Sequence, residues 1–116
     1  MSVRRATIGD YEVIASLWQD FDHEFPPPAQ MGATDAETEL AEVAEILGSE
    51  LAFVGEDDDG VVVGFALVRR VSERLATLTD LYVTPSARGS GIGVRIMREV
   101  VATLRDEGTE YVDMGV

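Results

Sequence analysis

The stretch from Leu81 to Gly93, Leu-Tyr-Val-Thr-Pro-Ser-Ala-Arg-Gly-Ser-Gly-Ile-Gly, holds the residues best suited to chemistry in this chain. An apolar strand pattern runs into a glycine-rich turn, and an amphipathic helix pattern follows at once. Glycine lets backbone approach a ligand closely and takes φ values that other residues avoid. A helix that starts in such a turn directs unpaired N–H groups and its positive dipole end into the turn. That combination suits a phosphate group.

Two nucleotide motifs fit the stretch poorly. A dinucleotide fingerprint needs G-x-G-x-x-G and an acidic residue about 20 positions later, after a second parallel strand. Here the spacing is Gly89-x-Gly91-x-Gly93. A P-loop ends in Gly-Lys-Ser/Thr, and this chain has no lysine. The pattern Arg88-x-x-Gly91-x-Gly93 instead resembles the acyl-CoA signature Q/R-x-x-G-x-G/A of the GNAT N-acetyltransferase family. The preceding Leu81-Tyr82-Val83-x-Pro85 is similar to that family's fourth strand, and Val62-Val63-Gly64-Phe65-Ala66 to its third.

The resemblance implies a set of roles. Acetyl-CoA would be the co-substrate. Its pantetheine arm would lie along the strand holding Leu81, Tyr82 and Val83, with Leu81 and Val83 offering backbone groups as to an extra strand. Backbone N–H groups from Arg88 through Gly89, Ser90, Gly91, Ile92 and Gly93 to Val94 would hold the pyrophosphate. A Cβ at Gly91 or Gly93 should obstruct the ligand. The family's usual glutamate position falls on Thr77, which cannot act as a base. Asp80 stands immediately before the Leu-Tyr-Val triplet, where other relatives carry a carboxylate, and is the expected base or amine anchor. A second acidic option on the fifth strand falls near Gly115. The tyrosine acid of many relatives lies on a later helix, which this sequence does not contain.

The acceptor in this fold is lined by the first two helices and their connection. Asp20, Asp22, His23 and Glu24 cluster there, and Asp22, His23 and Glu24 are the candidates for holding an ammonium group. A solvated helix end would use the same residues. The acceptor reading gives a primary amine of a small molecule or protein as substrate.

Composition narrows the classes further. The 116 residues suit one domain spanning 1–116. With no cysteine and one histidine, thiol catalysis and His/Cys metal sites are excluded. No apolar run approaches a membrane span and no secretory leader is visible, so a cytoplasmic protein without membrane contact is expected. Residues 1–60 carry 15 acidic side chains against two arginines, whereas residues 61–116 balance seven against seven. Nucleic acid is a poor partner for such a chain, while a cation is attracted. The glycine turn lies in the neutral half.

The elements that must position these residues follow from periodicity. Val3–Ala6 reads as a strand. Thr7 or Asp10 caps a helix to about Phe25, with Ile14, Leu17, Trp18 and Phe21 on one face. Pro26-Pro27-Pro28 stops it. The Thr34-Asp35-Ala36-Glu37 capping box starts a second helix carrying Leu40, Val43, Ala44 and Leu47, ending near Gly48. Strands follow at 51–56, 61–71 and 75–83, the first two joined by the Asp57–Gly60 turn. A helix over 90–107 buries Ile92, Ile96, Met97, Val100, Val101 and Leu104, and Tyr111–Met114 opens a last strand.

The order β-α-α-β-β-β-α-β predicts a mixed α/β sheet of GNAT type without the C-terminal helix and last two strands. A piece of a longer chain, a short relative, and a subunit completed by a partner all fit this. A homodimer sharing sheets is one form of the third, since exposed edges invite pairing. A non-catalytic CoA-binding or regulatory module is the alternative to an enzyme.

Overall fold

The computed structural model describes residues 1–24 and 51–113. β1 (Ser2–Arg5) leads through a 3-10 turn (Ile8–Asp10) into α1 (Tyr11–Glu24). β2 (Ala52–Glu56), β3 (Val62–Arg70) and β4 (Leu75–Val83) form a meander. α2 (Ile92–Asp106) and β5 (Tyr111–Asp113) complete the described chain. The five strands lie in the order β1-β2-β3-β4-β5, antiparallel except for the parallel pair β4–β5. This is the mixed sheet expected from the sequence. The expected helix starting at Thr34 and the position Gly115 lie outside the described residues.

Each face of the sheet buries one apolar cluster. Ile14 and Leu17 of α1 pack on Val54, Phe65, Leu67 and Tyr82. On the other face, Ile92, Ile96, Val100 and Leu104 of α2, repeating at four-residue steps, pack on Phe53, Ala66, Val68, Ala76 and Leu78. Met97 is half-buried beside them.

Two glycines let α2 settle onto the strands. Gly55 and Gly64 are cross-strand partners. A Cβ on Gly55 would sit 2.9 Å from Ile92 Cγ1. One on Gly64 would sit 2.9 Å from the Tyr82 carbonyl oxygen and 3.1 Å from Ile96 Cδ1. The absence of side chains there brings the start of α2 close to the end of β4.

The start of α1 is tied down electrostatically. The Arg4 guanidinium makes two 2.8 Å bonds to the Asp10 carboxylate and donates to Glu56 at 2.7 Å. Asp10 also accepts from the Thr7 N–H at 2.8 Å. Asp10 is buried, and its pKa falls to about 2, chiefly through the Arg4 bonds and against the opposing effect of burial.

Candidate functional site

A one-residue bulge in β4 decides which side chains face which way. Leu67 pairs with Asp80 and Val68 with Leu78, so Thr79 is the extra residue. Its hydroxyl donates to the Leu67 carbonyl at 3.1 Å. Before the bulge, Ala76 and Leu78 pack on the α2 face; after it, Leu81 and Val83 do so, while Tyr82 packs on the α1 face. The inserted residue reverses the alternation of the strand. Asp80, opposite Leu67 and two residues from Tyr82, is thereby turned to the α1 face.

The bulge also sets the backbone. Thr84 N–H donates to the Val63 carbonyl at 2.9 Å, so Tyr82 and Thr84 direct their main-chain groups toward β3. The alternate residues, Leu81 and Val83, direct theirs to the opposite edge. β5 pairs only with Leu75, Ala76 and Thr77 of β4. Beyond Thr77 no described strand lies along that edge. Leu81 and Val83 therefore present backbone groups where the sequence placed an extended ligand, except that the Val83 carbonyl accepts Arg88 Nε at 3.0 Å.

From β4 the chain passes through a 3-10 turn (Pro85–Ala87) into the glycines. Gly89 and Gly91 have φ of 83° and 87°, a left-handed conformation that side chains with a Cβ disfavour. Gly91 caps α2. Not all amides of the turn are available. Arg88 N–H reaches the Pro85 carbonyl at 3.3 Å, and Ser90 N–H the Ala87 carbonyl at 3.3 Å. The amides of Gly89, Gly91, Ile92, Gly93 and Val94 have no acceptor among the described residues, as expected for a helix start. A Cβ on Gly89 or Gly91 would meet nothing within 4 Å, and one on Gly93 only Val83 Cγ2 at 3.6 Å. Side-chain space at Gly89 and Gly91 is therefore open. A cleft of about 340 Å³ adjoins the turn, lined in part by Asp57, Asp58, Ser86, Ala87 and Ser90.

The Arg88 side chain turns away from these amides. Its Nη1 lies 2.5 Å from one Glu24 oxygen, and its Nη2 donates to the other at 2.8 Å. Tyr82 Oη also donates to Glu24, at 3.1 Å, and the guanidinium lies 5.6 Å from the Tyr82 ring centroid. The Arg88 bonds hold the Glu24 carboxyl below the usual carboxylate range. Burial, and then the neighbouring Glu24, push the Tyr82 phenol up. Phe21 meets the Tyr82 ring edge-on at 5.6 Å, and Trp18 and Phe65 extend the aromatic wall between α1 and β4.

Among the expected acceptor residues, Glu24 is thus engaged by Arg88 and Tyr82. Asp22 is half-buried, and His23 is exposed in the last described turn of α1. One carboxylate was missed by sequence reasoning. Asp113 of β5 pairs in register with Thr77, on the face opposite Ala76 and Val112. It stands beside the very position where the family's usual glutamate is absent. Only the strand register reveals it. Among the described residues no group of metal ligands occurs, and no helix is long and apolar enough to cross a membrane.

A mixed sheet in which the described β5 pairs only with Leu75–Thr77 of β4, the glycine turn and α2 connecting the two strands, is the architecture of an acyltransferase domain. The sequence profile of the acetyltransferase (GNAT) family matches residues 14–116. The chain belongs to that family. An uncharacterised N-acetyltransferase of Mycobacterium tuberculosis is 35% identical over 83 residues, covering 71% of this chain and 53% of its own. The chain spans about half the length of the curated relatives it matches.

Solved structures share the fold. A Bacillus halodurans protein superposes with a TM-score of 0.79 at 17% identity, over all of this chain and 83% of its own. A Sinorhizobium meliloti phosphinothricin acetyltransferase in complex with AcCoA gives 0.70 at 22% identity, over 90% and 60% of the two chains. A Mycobacterium tuberculosis protein in complex with CoA gives 0.69 at 23%, over 94% and 60%.

Proposed function

We propose that this chain binds acetyl-CoA and transfers the acetyl group to a primary amine of a small molecule or protein. The observation that carries the reading is the row of five amides without an acceptor among the described residues, Gly89 and Gly91 to Val94, beside an edge of β4 along which no described strand lies past Thr77. The amides suit a diphosphate, since they combine unpaired donors with the positive end of α2. The edge at Leu81 and Val83 suits the amides of an extended pantetheine arm. The N-acetyltransferase name of the relatives and the CoA and AcCoA complexes of the structural neighbours support the coenzyme half of this reading.

Acetyl-CoA would supply an activated thioester. A neutral amine attacks its carbonyl carbon, the C–N bond forms, the C–S bond breaks, and the thiolate leaves and takes a proton. The chain's part is to hold the thioester still, receive the ammonium group and accept its proton. We assign the last two tasks to Asp80, which the Thr79 bulge turns to the α1 face. Tyr82 serves the site by packing and by holding Glu24, its hydroxyl being committed there. The amides of Arg88 and Ser90, expected among the diphosphate donors, are bonded instead to the Pro85 and Ala87 carbonyls, which leaves the five others for that task.

Incubating the chain with acetyl-CoA and a panel of amines, with free thiol as readout, tests the proposal. Amine-dependent thiol release is expected. Binding of CoA without release for any amine would replace the enzyme by a CoA-binding module, a reading that Thr77 at the usual base position favours.

A further inference from the structure

Glu24 and Arg88 lie 64 residues apart in sequence, one in the last described turn of α1 and the other at the entry to the glycine turn. The contact is more than a single ion pair. Arg88 uses Nε on the Val83 carbonyl and both Nη atoms on Glu24, while Tyr82 Oη holds the same carboxylate and its ring lies under the guanidinium. Three elements meet on one side chain: the end of β4, the turn and α1. A guanidinium is planar with its donors in a fixed fork, so engaging all three nitrogens fixes its orientation.

The turn has few other restraints. Gly89 and Gly91 are conformationally permissive, the internal amide bonds at Arg88 and Ser90 are long at 3.3 Å, and the short bond from the Ser90 hydroxyl to the Ala87 carbonyl closes the turn on itself without tying it to the rest of the fold. The amides left without an acceptor among the described residues begin directly after Arg88. Their mutual arrangement determines how many can reach one diphosphate, and preorganised donors bind more tightly than mobile ones.

We propose that Glu24 is a positioning residue for coenzyme binding: it fixes Arg88, and through Arg88 the backbone of the glycine turn, without itself touching the coenzyme. This rests on the reading of the turn as the CoA pyrophosphate site. It gives Glu24 a different task from the acceptor anchoring its acidity first suggests. It also links the coenzyme to α1. By reciprocity, CoA held in the turn protects the end of α1.

Removing a charge near a diphosphate would alter the field as well as the contact, so the test conserves charge. Glu24→Asp keeps the carboxylate but shortens its reach by one methylene. Arg88→Lys keeps the cation but loses the fork. CoA dissociation constants are measured by calorimetry for wild type, both single variants and the double variant, with Tm as the control for folding. Each single variant is expected to bind CoA about three- to fivefold more weakly, the scale of a partly exposed ion pair. The double variant should be no weaker than either single, and CoA should slow amide exchange over residues 21–24 in wild type alone. Unchanged affinity in Glu24→Asp, or losses that multiply in the double variant, would overturn the proposal. Should wild type bind no CoA, the pyrophosphate reading fails and this one with it. Wild-type binding with indifferent variants removes this one only.

Discussion

Asp80 lies directly across the β3–β4 ladder from Leu67, on the face of the sheet that packs against α1. Ala76 and Leu78, even-numbered residues of the same strand, lie on the other face. The single extra residue, Thr79, accounts for the difference. Without it Asp80 would point with Leu78 into the cluster beneath α2, where an unpaired carboxylate is strongly disfavoured.

Asp80→Asn should therefore lower kcat about 100-fold, the usual scale for losing a positioned proton acceptor. CoA affinity should stay within twofold. Asp113→Asn, altering the carboxylate beside Thr77, should change kcat by less than about threefold. Thiol-release rates for the two variants check this; the reverse ranking would move the base to β5.

Gly64→Ala should destabilise the fold more than Gly55→Ala. The added methyl at Gly64 meets the Tyr82 carbonyl oxygen at 2.9 Å, which is backbone inside a paired strand. At Gly55 the nearest atoms belong to the side chains of Ile92 and Ile96, which can shift. Thermal or urea unfolding should show a loss of about 1–3 kcal/mol at Gly64, as for overpacking generally. Equal losses would place the start of α2 further from the sheet.

Acid should weaken the link between β1 and α1. The pKa of Asp10 is depressed to about 2, chiefly by Arg4. Its unfolded value is near 3.8, so the unfolded chain binds the proton first as pH falls. The stabilisation is complete above about pH 5 and lost as pH drops through 4 toward 2, and is worth about 2 kcal/mol. Comparing wild type with Asp10→Asn should show a stability gap at pH 7 that shrinks between pH 5 and pH 2 and closes only below the folded-state pKa of about 2. A gap independent of pH would contradict the linkage.

The legible and illegible parts of the molecule divide on physical lines. The strands and α2 follow from local patterns: a continuous apolar run from Val62 to Val68, four-residue steps from Ile92 to Leu104, and glycine at the helix start. The turn from Arg88 to Val94 is equally local, because positive φ at Gly89 and Gly91 is a property of the residues themselves. The reversal within β4 is not local. Thr-Leu-Thr-Asp-Leu-Tyr-Val reads as one unbroken strand, and only pairing with β3 exposes the bulge at Thr79. The same holds for Asp113 beside Thr77, and for Glu24 with Arg88. Gly55 and Gly64 carry no signal in sequence that Ile92 and Ile96 will lie over them.

The central claim is that amides at the start of α2 clasp the pyrophosphate of coenzyme A. Gly91 is a poor probe, because a side chain at φ 87° strains the backbone whatever the ligand does. Gly93 is helical, and a Cβ there meets only Val83 Cγ2 at an ordinary 3.6 Å. Alanine is allowed there by the acyl-CoA signature itself, so the probe is Gly93→Glu, which sets a carboxylate against a diphosphate while glutamate favours a helix over glycine and suits its first turn. Calorimetric titration of CoA into wild type and Gly93→Glu is the most direct measurement. The account predicts one-to-one binding by wild type and at least about tenfold weaker binding by the variant at equal or higher Tm, since about 1.4 kcal/mol of lost contact suffices. Equal affinity in the two proteins would contradict it.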